Sequence, residues 1–571
     1  MKRILSLLLA VAMLLSFGAL LVSCGETEIP GAQIDVYLGS EVLDLDPTDY
    51  YVDDNAAQLM SLLYEPLFAI NSKGKLTKAA AKDYEIDEEK NQIIIELRES
   101  YWSDDIRVKA ADFVFAWTER VLNPNNPNPA AALLYDIKNA AEVKSGTGTI
   151  SDLGIKATDI YELTITYREG ADLDQLLRNL ASVATAPARK DVVDGAPTYW
   201  SKLANTMIFN GPFKVKSINV LSGELSIQRN LGYHQKPTEL DYDNIVTPDV
   251  LVGFFTANGQ QIECTYKDIE DKVVFYMADA SLAERAEKKA SAVTADKLSA
   301  YSYVFNTENP LFADARVRKA LSVAIDRSAI SLAVTFGKAA DGILPDVAGG
   351  STEAYISSSA NKALAEELLS EVDFTGINKS FSITVNSDEQ SLKIAELVEA
   401  AWEDLGFTVT VKTADNIISV VNEMEIHDSG IQVAVKEASY GNRSFDVLAV
   451  DWQFYSDDAF VGLAAFSSAL GGCGVDFATH TNRANISGWV DSQYDYLISA
   501  AYKASGAERE QLLIEAEQYL CEQSPIVPIL FNQTFYYAHE DLSKIKIDFF
   551  GNVVFTEVKQ KNFEDYLPEE E

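Results

Sequence analysis

The stretch Asp451-Trp452-Gln453-Phe454-Tyr455-Ser456-Asp457-Asp458 gathers the side chains best suited to hold a small solute. A carboxylate withdrawn from water pairs strongly with a ligand ammonium, because a charge-assisted hydrogen bond is roughly twice as strong as a neutral one. Aromatic side chains such as Trp452 and Tyr455 stack on sugar rings or aromatic ligands, and Gln453 and Phe454 stand between them as further candidate contacts. Each has a plainer alternative. Trp452 and Tyr455 serve equally well as packing, and Asp457 and Asp458 as a solvated turn.

Other chemistries lack their residues. There is no GxSxG, no HExxH and no Walker motif, and His234, His427, His480 and His539 lie far apart. A metal or catalytic cluster needs several such groups converging, so neither a metal nor a cofactor is expected. Carboxylates are abundant, so an exported hydrolase with a paired-carboxylate site is a reading that counting alone leaves open. A pure surface adhesin is another. A nickel or haem carrier lacks a His motif.

The positioning elements are a mixture of strands and helices. Phe445–Val450 reads as a strand that delivers residues 451–458 to a loop at its end, where α/β folds commonly hold ligands. Gln33–Leu38, Gln92–Leu97, Leu163–Tyr167 and Thr408–Lys412 also read as strands. Helical spacing marks Asn55–Leu67, Ala110–Val121, Arg316–Ile330, Ala360–Leu369, Gln390–Leu405 and Glu508–Glu522. Gly406 stops the fifth of these and Pro525 follows the last. Arg316, Arg318, Asp326 and Arg327 read as charge pairs on a helix face, and Phe113, Trp102 and Trp117 as packing.

Composition narrows the partners. The 571 residues carry 86 acidic against 47 basic side chains, a formal charge of −39, so the field repels phosphate backbones and nucleic acid is excluded as a partner. Lys2 and Arg3 precede an apolar run, Ile4–Val22, that ends in Leu21-Val22-Ser23-Cys24. This is an export signal over residues 1–23, and its end resembles the bacterial lipobox, whose cysteine takes a lipid. Cys24 is therefore the expected anchor to the cell membrane, with the rest of the chain outside the cytoplasm. Cys264, Cys473 and Cys521 remain, an odd number without metal spacing, read as buried small residues with room for one disulfide of undetermined pairing.

Six segments in order are similar to the oligopeptide-binding branch of the extracellular solute-binding proteins that serve ABC importers. They are Leu45-Asp46-Pro47 with Leu63-Tyr64-Glu65-Pro66-Leu67, Leu97-Arg98 with Tyr101-Trp102-Ser103-Asp104 and Ala110–Trp117, and Ser151–Ala157. Asn210-Gly211-Pro212-Phe213, Tyr303–Arg327, and Arg509 with Glu515–Glu517 and Pro525–Pro528 follow. The resemblance implies an α/β fold, a two-lobed periplasmic-binding-protein-like clamp of the class II type with an additional appended domain. It places lobe I at 24–64, 184–298 and 534–571, the appended domain at 65–183, and lobe II at 299–533. It implies no catalytic residues, a hinge that closes on a peptide or other small solute, and a monomer that docks on ABC permease and ATPase subunits. In the family's peptide binders an aspartate three residues after the Trp pairs with the ligand's α-amino group. That position is Tyr455 here, with Asp457 and Asp458 as candidate substitutes. A second acidic position of the family falls at Tyr51, near Asp49, Asp53 and Asp54. Both departures open an oligosaccharide as an alternative ligand.

Overall fold

The computed structural model describes residues 33–37, 44–48, 54–126, 128–197, 199–219, 224–234, 249–253, 274–277, 291–334, 337–351, 353–414, 424–425, 434–435, 445–472, 485–538 and 542–560. The export signal, Cys24, Tyr51, Cys264 and Cys473 lie outside them. Among the described residues no helix is long and apolar enough to cross a membrane.

Strand β1 (Gln33–Tyr37) is followed by helix α1 (Asp54–Leu63), whose Leu59, Met60, Leu62 and Leu63 are buried. Four antiparallel strands come next: β2 (Ala81–Asp87), β3 (Gln92–Leu97), β4 (Ile155–Asp159) and β5 (Glu162–Thr166). They form their own sheet in the order β2-β3-β5-β4. In β3 the alternation of the sequence is realised, with Ile93 and Ile95 buried and Glu96 facing solvent. Helix α2 (Leu173–Asn179) follows, its first turn capped by the Asp172 side chain accepting from Gln175 N.

The chain then builds β6 (Phe213–Asn219), β7 (Glu224–Arg229), β8 (Asp249–Gly253), β9 (Val274–Met277) and the long β10 (Ser291–Phe305). Next come α3 (Ala315–Val323), β11 (Lys338–Ala339), β12 (Ser380–Asn386), α4 (Glu389–Glu403), β13 (Thr408–Ala414) and β14 (Val447–Gln453). The last are α5 (Ala459–Ala464), α6 (Ser492–Lys503), α7 (Gly506–Gln523) and the long β15 (Ile526–Ala538). Of these strands, all except β2–β5 lie in one sheet ordered β13-β12-β14-β10-β15-β9-β1-β8-β7-β6, with β11 beside β15, and four further two-stranded sheets stand apart from it.

This sheet has two halves. On one side β1 is flanked by parallel β8 and β9; on the other β12 is flanked by parallel β13 and β14. The fold is thus a two-lobed α/β clamp, and β10 and β15 run through both halves. Their antiparallel pairing is irregular twice, between Asp296/Gln533 and Ala300/Phe531, where three residues of β10 oppose Asn532 alone, and between Tyr301/Leu530 and Ser302/Pro528, where Ile529 is left over. Such an irregularity bends a strand and weakens its ladder locally, which suits a hinge.

The half containing β12 has its own core. Trp402 is fully buried, its ring edge-on to Tyr303 and tilted against Phe305 and Phe381, with Val317, Leu321, Ile394 and Val398 around it. Trp102, Trp117 and Phe113 are packing residues as expected, and each indole N–H finds an acceptor, Asp112 Oδ2 or Thr185 O.

Three sequence expectations are corrected. The helix expected over 316–330 is two, because Asp326 ends the first and caps the second, Arg327–Ala333, by accepting from Ala329 N. Arg318 and Arg327 are not surface charge pairs. Both are buried and donate to carbonyls, Arg318 to Phe312 O and Gln523 O, Arg327 to Pro528 O and Ser322 O. Burial without a carboxylate in direct contact pulls each guanidinium down to about 10. The helix expected over Ala110–Val121 is α-helical only to Phe115 and is π-wound over Ala116–Val121.

Candidate ligand-binding site

The strand expected to stop at Val450 continues to Gln453, so Trp452 and Gln453 sit on β14 and only Phe454 onward forms the loop. The reason is its neighbour. Residues 299–305 of β10 pair with 453–447 of β14 without interruption, and Phe454 N then donates to Leu298 O at 2.7 Å. The candidate stretch is therefore fastened beside the irregular stretch of β10. Asn532, the single residue opposite that stretch, donates to Ser299 Oγ at 3.1 Å and to Asp451 Oδ1 at 2.8 Å.

Trp452 is buried with its ring tilted 31° against Phe466 at 4.9 Å. Tyr455 is also buried. Asp457 Oδ2 accepts from Arg178 Nε at 2.8 Å and also from Arg178 Nη2, while Oδ1 accepts from Gln175 Nε2 at 3.1 Å. Asp458 caps α5 by accepting from Phe460 N, and both its oxygens accept from Arg509 Nη2, at 3.0 and 3.1 Å. Ser456 Oγ donates to Asn179 Oδ1 at 2.5 Å. Residues 456–458 thus clasp α2. The partners lie 277 to 282 residues away in sequence, which no local pattern signals. Gly462 lets α5 approach, since a Cβ there would meet Leu344 at 2.6 Å and Phe454 at 3.0 Å.

Gln453 and Phe454 face a cavity of about 230 Å³. Its wall is drawn from α1 and the segment after it, from residues 181–183, from Leu298 in the irregular stretch of β10, and from residues 548–556 near the C-terminus. Sequence reasoning missed most of this wall. The motif Tyr64-Glu65-Pro66 was the available signal, because its side chains reach the cavity. Glu65 is buried and accepts from the Tyr233 hydroxyl at 2.5 Å, with His234 Nε2 at 2.8 Å; its backbone exchanges two hydrogen bonds with the Asn210 side chain. Gly211 is required at that turn, since a Cβ would lie 2.6 Å from Leu63 C. Asp548 is pushed up to about 6 by burial, against the opposing hydrogen bonds of Asn552.

Among the described residues no group of His, Cys, Asp and Glu could hold a metal ion. Cys521 is a buried free thiol.

The model of the bacterial extracellular solute-binding proteins, family 5 Middle, matches residues 75–472. The periplasmic murein peptide-binding protein MppA of Escherichia coli K12 is 27% identical over 501 residues, 83% of this chain and 82% of that protein. The probable deoxycholate-binding periplasmic protein YgiS of the same strain is 26% identical over 509 residues, 85% of each chain. The solved structure of Listeria monocytogenes OppA bound to peptide has the same fold, with a TM-score of 0.74, 19% identity and coverage of 93% of this chain and 99% of that one. These are solute-binding proteins rather than enzymes, and this chain belongs to the bacterial extracellular solute-binding proteins, family 5.

Proposed function

We propose that the chain captures a peptide between its two lobes outside the cytoplasm and delivers it to the membrane permease of an ABC importer. The observation that carries this reading is the cavity at the hinge bend, walled by the start of the first lobe, the small-sheet unit and the end of β14 together. A solute enclosed there touches parts that move relative to one another, so binding shifts an open–closed equilibrium toward closed. Lobe I is proposed as 24–64, 184–298 and 534–571, the appended domain as 65–183, and lobe II as 299–533. The inner boundaries fall in or beside the irregular stretch of β10 and β15. Cys24 is proposed as the lipidated residue, and labelling of the wild-type chain but not Cys24→Ala by a radioactive fatty acid tests it.

For the ligand, Gln453 and Phe454 are proposed contacts because they line the cavity. Asp457 and Asp458 are proposed to hold the lobe II loop to the appended domain rather than to pair with a ligand amino group, because guanidinium groups already occupy both carboxylates. The murein peptide-binding relative and the peptide-bound structure favour a peptide; the deoxycholate-binding relative favours a second reading, a small apolar solute on the same cycle. Thermal unfolding of the soluble chain from Gly25, screened against free and N-acetylated peptides, oligosaccharides and a bile acid, distinguishes them. A ligand at about a hundred times its Kd stabilises by roughly 2.7 kcal/mol. Stabilisation by peptides whether or not they are acetylated is expected; stabilisation by sugars or bile acid alone overturns the peptide assignment.

A further inference from the structure

Helix α7 carries an acid in an unusual setting. Glu517 is only 3% exposed, and its Oε1 accepts from both Ile343 N and Leu344 N at 2.9 Å, with Ser351 N–H close by. Gly342 makes room for this grip, since a Cβ there would lie 2.8 Å from Oε1. Lys319 and Arg327, which act on neighbouring Cys521, donate to carbonyls instead. A carboxylate withdrawn from water without a cation is costly, so burial pushes Glu517 up to about 7 against the opposing N–H groups.

The segment that Glu517 holds leads to the candidate site. Residues 341–351 follow β11, and their start is anchored by Ala340 N donating to Ile529 O and by Asp341 O accepting from Tyr355 N and Ile356 N. Leu344 lies against Gly462 of α5. Gly349, at φ +79°, abuts the site loop, where a Cβ would lie 3.0 Å from Asp457 O and 3.2 Å from Ala459 N. Glu517 thus grips one end of a segment whose other end backs the loop 457–459.

The titratable groups around it are Asp341, acted on by Asp346, Tyr355 beside Glu353, Tyr494 on α6 and Cys521 on α7. Burial raises Tyr355, Tyr494 and Cys521, so all three are neutral at and below pH 7. The charge of Asp341 further disfavours a second one on Glu517.

We propose that Glu517 is a proton-controlled clasp: protonated, it seats residues 341–351 against the site loop 457–459, and ionised, it releases them. Lifting the segment lets water reach the carboxyl, whose proton affinity then returns to the ordinary value of 4.5. The seated form therefore binds more proton between about pH 4.5 and about pH 7; its advantage is full below that window and is lost as pH rises through it. This holds whichever solute the site takes.

Hydrogen exchange of the soluble chain from Gly25, followed by mass spectrometry from about pH 5 to about pH 8 and corrected for the intrinsic pH dependence of exchange, tests the clasp. Opening of residues 341–351 and of 457–461 is expected to rise together, by up to about tenfold per pH unit until about pH 7, and to level off above it. Glu517→Gln, nearly isosteric and always neutral, is expected to keep both segments as protected at every pH as the wild type is in acid. Asp341→Asn, an exposed substitution, is expected to shift the levelling-off to lower pH, and it tests the clasp even if Glu517→Gln fails to fold. Wild-type protection independent of pH, a pH dependence that persists in Glu517→Gln, or a response of 341–351 that leaves 457–461 unchanged would overturn the proposal.

Discussion

The loop 456–458 and the cavity wall beside it are neighbours with opposite chemistry. In the loop every conspicuous carboxylate has a guanidinium and further hydrogen bonds, whereas on the wall burial pushes Asp548 up to about 6. The residues that advertise themselves by type secure the architecture, and the less conspicuous ones shape the space. Ion pairs that stay fixed hold neighbouring segments in place, and a carboxyl withdrawn from water without one carries a cost whenever it ionises.

Four substitutions sharpen this contrast. The largest effect is expected for Trp452→Ala, a packing residue at the site's edge: about 3–5 kcal/mol of stability in urea denaturation. A loss under about 1 kcal/mol would place the indole in the cleft instead. Asp458→Ala removes a helix cap and strands Arg509, and a loss of about 3 kcal/mol is expected.

Asp548→Asn tests the wall. An acid whose folded-state affinity for protons exceeds that of the unfolded chain binds extra proton in the native state, so stability falls as pH rises from about 4 to about 6. Above pH 6 the full cost applies, about 3 kcal/mol, at close to 1.4 kcal/mol per pH unit through the window. The variant is expected to flatten that slope between pH 4 and 6; an unchanged profile would show that Asp548 ionises normally. The smallest effect is expected for Asp457→Asn, about 1–2 kcal/mol, since the pair with Arg178 is partly solvated. Denaturation curves of Asp457→Asn, Arg178→Gln and the double variant measure the coupling, and additive losses would show that the pair contributes none.

How far the sequence carried can be judged from the same parts. Periodicity located β3, α4 and α7 to within two residues, because each buries one face along its whole length. It failed at 316–330, where a cap signal at Asp326 lies inside an unbroken apolar stripe, and at β14, whose last residues are set by pairing with β10. The loop after Trp452 was legible as a candidate; the fate of its carboxylates was not. Arg178 and Asn179 reach it from about 280 residues away, and the cavity wall is drawn from several separated segments. Long-range pairing of this sort leaves no spacing to read.

Closure of the two lobes on a solute is most directly measured by small-angle X-ray scattering of the soluble chain with and without a saturating peptide. The account predicts a smaller radius of gyration in the bound state, as β10 and β15 bend at their irregular stretch. An identical scattering curve with a peptide shown to be bound would contradict it.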